Sequence, residues 1–160
     1  MDRPLRPPLD ARNETALERC DRNLAELLQE VRVAQTGVQV LFGFLLTVPF
    51  QQRFQRVSEF QEGVYFITLI AAAVATAFLI APSAYHRLML EQHDKPNIIH
   101  IGTGQMIAGL CALAVAMNGA VLLVTDVLFE GGTVTVTVVA LATLYVTLWF
   151  VFPLVRRAQK

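Results

Sequence analysis

Apolar residues recur every seventh position at Leu17, Leu24, Val31, Val38 and Leu45, with Cys20, Leu27, Leu28 and Ala34 beside them. Charged and amide side chains fill most of the intervening positions as far as Arg32. This spacing predicts one long amphipathic helix running from Thr15, which forms a capping-box signature with Glu18, to Pro49. At 1.5 Å per residue it would measure roughly 50 Å, longer than a hydrocarbon core of about 30 Å. Its second half, about residues 33–50, would therefore enter a membrane while its first half projects from it. Three further apolar stretches, about residues 63–81, 98–125 and 133–154, are each long enough to span. The last, "TVTVTVVALATLYVTLWFVF", is rich in β-branched residues. In lipid a helix is still expected there, because a lone strand would leave its backbone polar groups unpaired.

The predicted fold class is thus all-α: a polytopic membrane protein with four transmembrane helices and an amphipathic cytoplasmic extension of the first. Residues 1–14, which hold three of the seven prolines and no apolar periodicity, read as a flexible arm. Residues 15–154 form a single membrane domain, and residues 155–160 a short tail.

Composition agrees with this reading: 54% of the 160 residues are hydrophobic and only 16% charged, too apolar for a soluble domain of this size. A net charge of zero gives no reason to expect nucleic acid as a partner. The distribution of charge says more than the total, since eleven of the thirteen Lys and Arg residues fall in the N-terminal segment, the loop between spans two and three, and the tail. Only Arg53 and Arg56 lie on the other side, among Glu59, Glu62, Asp126 and Glu130. By the positive-inside rule both termini face the cytoplasm, as an even number of spans requires, and the inner cell membrane is the expected location. Cys20 and Cys111 lie in unlike surroundings, so no disulfide is expected, and their spacing suits no metal.

The candidate chemistry lies on the first helix. Arg32, Gln35, Thr36 and Gln39, continued by Gly43 and Thr47, fall at three- and four-residue steps and form one polar stripe. Polar side chains inside a span face the bundle interior, another subunit or water. The stripe therefore either lines a path for small inorganic ions, around the axis of a homo-oligomer, or supplies hydrogen bonds to neighbouring helices while Arg32 reaches to the headgroups. On the third span Gly102, Gly109, Ala112 and Ala116 present small residues that let backbones approach closely. Ala71, Ala75 and Ala73, Ala77 do the same on the second, and together they predict a compact four-helix bundle.

His86, His93 and His100 stand seven residues apart and would share a face of an unbroken helix, as candidates for sensing pH on the cytoplasmic side. Pro96 interrupts that face, and without a close ligand pair no metal is expected. "GTGQMIAG" lacks the strand and spacing of a nucleotide-binding loop, so no cofactor is expected. Asn118 is expected to bond a carbonyl. No Ser/His/Asp or Cys/His arrangement shares one membrane depth, which argues against an enzyme. Every acidic residue lies near a membrane edge, which argues against proton-coupled transport by a single chain.

The run "RNETALERCDRNLAELLQEVRVAQTGVQVLFGFLLTVPFQQRF", followed by "YHRLMLEQHDKPNIIH", resembles a family of small actinobacterial four-helix membrane proteins catalogued as a domain of unknown function. The resemblance covers nearly the whole chain after the first dozen residues. It implies a four-span fold and carries over no catalytic or binding residue. Some relatives bear the label sodium:proton antiporter, which the placement of the carboxylates here does not favour. Two functions follow as expectations: channel-like passage or regulation of small ions through the stripe, or a membrane scaffold that pairs through Leu17, Leu24, Leu27 and Val31.

Overall fold

The computed structural model describes residues 16–88, 95–129 and 131–159. Helix α1 runs over Ala16–Thr47, and two short 3-10 turns, Val48–Phe50 and Gln52–Arg56, lead into α2 (Glu59–Leu88). Helix α3 follows at Lys95–Leu128 and α4 at Gly132–Val146. A π-helical turn over Thr147–Val151 carries α4 into a final short helix, α5 (Phe152–Ala158). No strand occurs among the described residues. Four helices are long and apolar enough to cross a membrane: Ala25–Phe50, Glu59–Tyr85, Ile101–Leu128 and Gly132–Arg156. The chain is an all-helical membrane protein. Thr15, half of the expected capping box, lies outside the described residues.

From Val31 onward the seven-residue apolar spacing is the buried face of α1, since Val31 and Val38 are fully buried and Leu45 is nearly so; the side chains of Leu17 and Leu24 lie outside the described residues. They pack into a groove between α2 and α3. One cluster joins Val38 to Ala75, Leu79 and Leu113; a second joins Leu45 to Tyr65, Ala72 and Ala116. Leu41 touches both clusters and makes them continuous.

Small residues set the approach of α2 to α3. A Cβ added at Gly109 would lie 2.8 Å from Leu79 Cγ, and one at Gly119 would run into the Thr68 hydroxyl. Thr68 is fully buried and donates its hydroxyl to the Val64 carbonyl, so it crosses the apolar interface with no unpaired group. Gly102 and Ala116 are buried as well and Ala112 is half-buried.

Pro96 sits in the first turn of α3, where its missing N–H has no partner to lose, and three further prolines within or beside the helices are accommodated in different ways. Pro49 cannot donate to the Leu45 carbonyl four residues earlier; Tyr65 Oη does so instead, at 2.9 Å. Pro82 sits inside α2, which runs past it to Leu88, and the neighbouring Leu79 carbonyl accepts a hydrogen bond from α1. Pro153 removes the donor for the Trp149 carbonyl, and the helix widens into the π turn across Thr147–Val151.

The arrangement differs from an even four-helix bundle. Helices α1, α2 and α3 surround the core, whereas α4 packs along α3 and, among the described residues, touches neither α1 nor α2. No residue of α4 is buried. The cause is its composition: it is apolar all round, without a glycine after Gly132 and with valine and threonine on every face, so lipid solvates it as well as protein would. Its hydroxyls are hidden locally, as where Thr137 and Thr143 donate to carbonyls four residues earlier. From the π turn, Trp149 reaches the cluster that contains Leu113 and tilts against Tyr145.

Candidate functional site

The polar stripe of α1 divides in two. Gln35 flanks the buried face, between Val31 and Val38, and is half-buried. Its Nε2 donates to the Leu79 carbonyl of α2 at 2.8 Å, in the turn that Pro82 loosens. Arg32, Thr36 and Gln39 are exposed, as are Gly43 and Thr47, on the side of α1 that faces away from α2 and α3. Thr36 donates its hydroxyl to the Arg32 carbonyl at 3.1 Å and Thr47 to the Phe44 carbonyl at 2.7 Å, so both are satisfied by their own helix. Arg32 and Gln39 have no side-chain partner among the described residues. Counting back from Phe50 at 1.5 Å per residue, Gln39 lies about 16 Å into a core of about 30 Å, and Arg32 about 27 Å, at the opposite boundary.

At the Phe50 end, the linker and the helix termini are tied by one residue. Ser58 caps α2: its hydroxyl accepts from the Gln61 amide at 3.2 Å, and Gln61 Oε1 accepts from the Ser58 amide at 3.1 Å. Gln61 then turns its Nε2 to Asp126 Oδ2, near the end of α3, at 2.8 Å. A phenyl ring closes the arrangement, as Phe54 from the second 3-10 turn meets Tyr65 edge-on with centroids 5.0 Å apart.

The model of a family of unknown function (DUF6328) matches residues 13–153 of this chain. The chain belongs to that family. No curated protein and no solved structure matches it. The matched range of this DUF6328 member holds α1 to α4, both halves of the stripe, and the Ser58, Gln61 and Asp126 network.

Of the histidines, His93 lies outside the described residues, and only the backbone is described for His86 in α2 and His100 in α3. Gly102, Gly109, Ala112 and Ala116 belong to the packed interior rather than to a binding surface: a Cβ at Gly102 would stand 3.5 Å from both Leu27 Cδ2 and Pro82 Cβ. Gln105 Oε1 and Asn118 Oδ1 are buried without a hydrogen-bond partner among the described residues.

Sequence reasoning passed over Gln61, Asp126 and Tyr65. For Gln61 the signal was present, since "SEFQ" is a capping box at the start of an apolar run. Tyr65 could have been found from Pro49, which announces a carbonyl in need of a donor, although nothing in the sequence names the donor.

Proposed function

We propose that this protein self-associates in the membrane through the exposed side of α1, and that Arg32 and Gln39 of neighbouring copies converge there to line a path for small ions. The observation that carries this reading is Gln39: an amide near mid-membrane depth, on the outside of its own bundle, with no partner among the described residues. Contact between copies would replace exposure to hydrocarbon by amide pairing, each bond contributing about 0.6–2 kcal/mol. Gly43, one turn further along, adds an open notch: apart from its own turn of helix, no described atom comes within 4 Å of the position a Cβ would take. Both termini then face the cytoplasm, and the charged start of α1 forms the inner mouth.

The scaffold reading has less surface to work with. Leu27 and Val31, two of its four contact residues, are buried within the chain itself, and the side chains of the other two, Leu17 and Leu24, lie outside the described residues. What α1 presents around them is charged, with Arg22 Nε 3.6 Å from Glu26 Oε1.

The test is flux of K⁺, Na⁺, H⁺ and Cl⁻ through proteoliposomes, with Gln39→Leu and Gln35→Leu run separately. The expected result is flux in the parent, abolished or altered in selectivity by Gln39→Leu and retained in folded Gln35→Leu protein. Silence of the parent for every ion across pH and voltage would overturn ion passage. Flux unaffected by Gln39→Leu would remove α1 from the path.

A further inference from the structure

Two cavities meet at the Phe50 end of the bundle. One, about 840 Å³, is a polar bay between the 3-10 linker and the ends of α2 and α3, walled by Gln51, Gln52, Arg56, Gln61 and Asp126. The other, about 410 Å³, is a cleft between α1 and α3 that is almost wholly apolar, with Leu41, Phe44, Leu123 and Val124 on its sides. Val48, Phe54, Val57, Gln61 and Val127 border both, so the bay opens into the cleft. Both volumes are of ligand-site size, about 300–1,000 Å³.

The shape is fixed from behind. Tyr65, on the cleft wall, is held by its bond to the Leu45 carbonyl and by the edge of Phe54. Gln61, at the junction, is held by Ser58 and Asp126. The cleft's sides are residues of the first and third spans, and its rim is open, with Phe44 70% and Val124 59% exposed. The medium at that rim is hydrocarbon, so an acyl chain rather than water is what fills it. The bay lies where those spans end, at headgroup depth.

Charge narrows the headgroup. Among the described residues the bay carries one cation, Arg56, which has no ion-pair partner, and one carboxylate, Asp126, of which only Oδ2 is engaged. A phosphate beside Arg56 would form a charge-assisted bond, and a primary ammonium would suit Asp126 Oδ1. We propose that this joined bay and cleft hold one phosphoethanolamine-headed phospholipid, its phosphate at Arg56, its amine at Asp126, and one acyl chain lying between α1 and α3. The proposal is independent of ion passage.

The experiment uses the full chain, purified in detergent after reconstitution in vesicles of equal phosphatidylethanolamine and phosphatidylglycerol. Native mass spectrometry then counts and identifies the lipid retained. The parent is expected to keep about one phosphatidylethanolamine per chain, and Arg56→Gln, at an exposed position that leaves folding intact, about tenfold less. Val124→Trp, which fills the cleft from its open rim, is expected to keep none while its helical circular dichroism is unchanged. Equal retention in parent and Arg56→Gln would mean annular lipid only and overturn the proposal. Enrichment of phosphatidylglycerol, or a lipid-free parent whose oligomeric state changes with Val124→Trp, would overturn it too.

Discussion

Gln35 Nε2 stands 2.8 Å from the Leu79 carbonyl oxygen, joining α1 to α2 where Pro82 interrupts the ladder of α2. A glutamine three residues before the fully buried Val38 thereby bonds to a neighbouring helix rather than facing water. Gln35→Leu is expected to lower stability by about 1–2 kcal/mol, because it removes a hydrogen bond between helices inside the bundle. In a Pro82→Ala background the same change should cost less, since without the ring the turn tightens and the Ser83 amide, four residues after Leu79, closes on that carbonyl. Gln39→Leu should leave the stability of the single, dissociated chain unchanged, since its amide makes no bond within it among the described residues. Thermal unfolding of the four variants in one detergent checks all three expectations; equal losses in both backgrounds would separate Gln35 from the proline.

Gly109→Ala places a methyl 2.8 Å from Leu79 Cγ and 3.4 Å from the Leu79 amide nitrogen, so a rotamer change alone does not make room. A loss of about 1–3 kcal/mol is expected. Leu79→Ala should restore part of it in the double variant, because the methyl then enters the space the leucine leaves. Melting temperatures of the single and double variants decide the matter.

Gln61→Ala removes two side-chain hydrogen bonds at once, one accepted from the Ser58 amide and one donated to Asp126, and keeps the bond from its own backbone amide to the Ser58 hydroxyl. The loss is expected to be about 1–3 kcal/mol. Amide hydrogen exchange should therefore quicken in the first turn of α2 and leave the Ala72 and Ala75 region protected. Uniform acceleration along α2 would show that the network supports the whole helix and not its end.

Asn118 Oδ1 is buried with no partner, which carries a desolvation cost of about 1–3 kcal/mol. Asn118→Leu, similar in volume and apolar, is expected to raise the melting temperature or leave it unchanged. A clear drop would mean that the carboxamide holds a contact essential to the fold.

The four spans and the buried face of α1 were legible because both rest on periodicity: Val31, Val38 and Leu45 are seven apart in the sequence and share one groove in the structure. The small-residue reading of the third span led to Gly109 and Ala116 by the same route. The stripe was legible only as a stripe. Three- and four-residue steps group Gln35 with Gln39, but they do not say that one end of the group reaches α2 while the other faces outward. That division rests on the Leu79 carbonyl, forty-four residues away in the chain and in contact only after folding. The place of α4 was hidden for a related reason. A helix apolar on every side has no preferred face, and the sequence offers no reason for it to join the core or to stand apart.

Because α4 packs along α3 alone among the described residues, and Trp149 beyond it adds a contact to the cluster of Val38, Ala75, Leu79 and Leu113, the last span is held by a seam with a pin near its end rather than as an interlocked part. Drawn out of a bilayer by its C-terminus, the chain should part in two force steps. The last span comes away first at low load, and α1, α2 and α3 then yield together in one larger event.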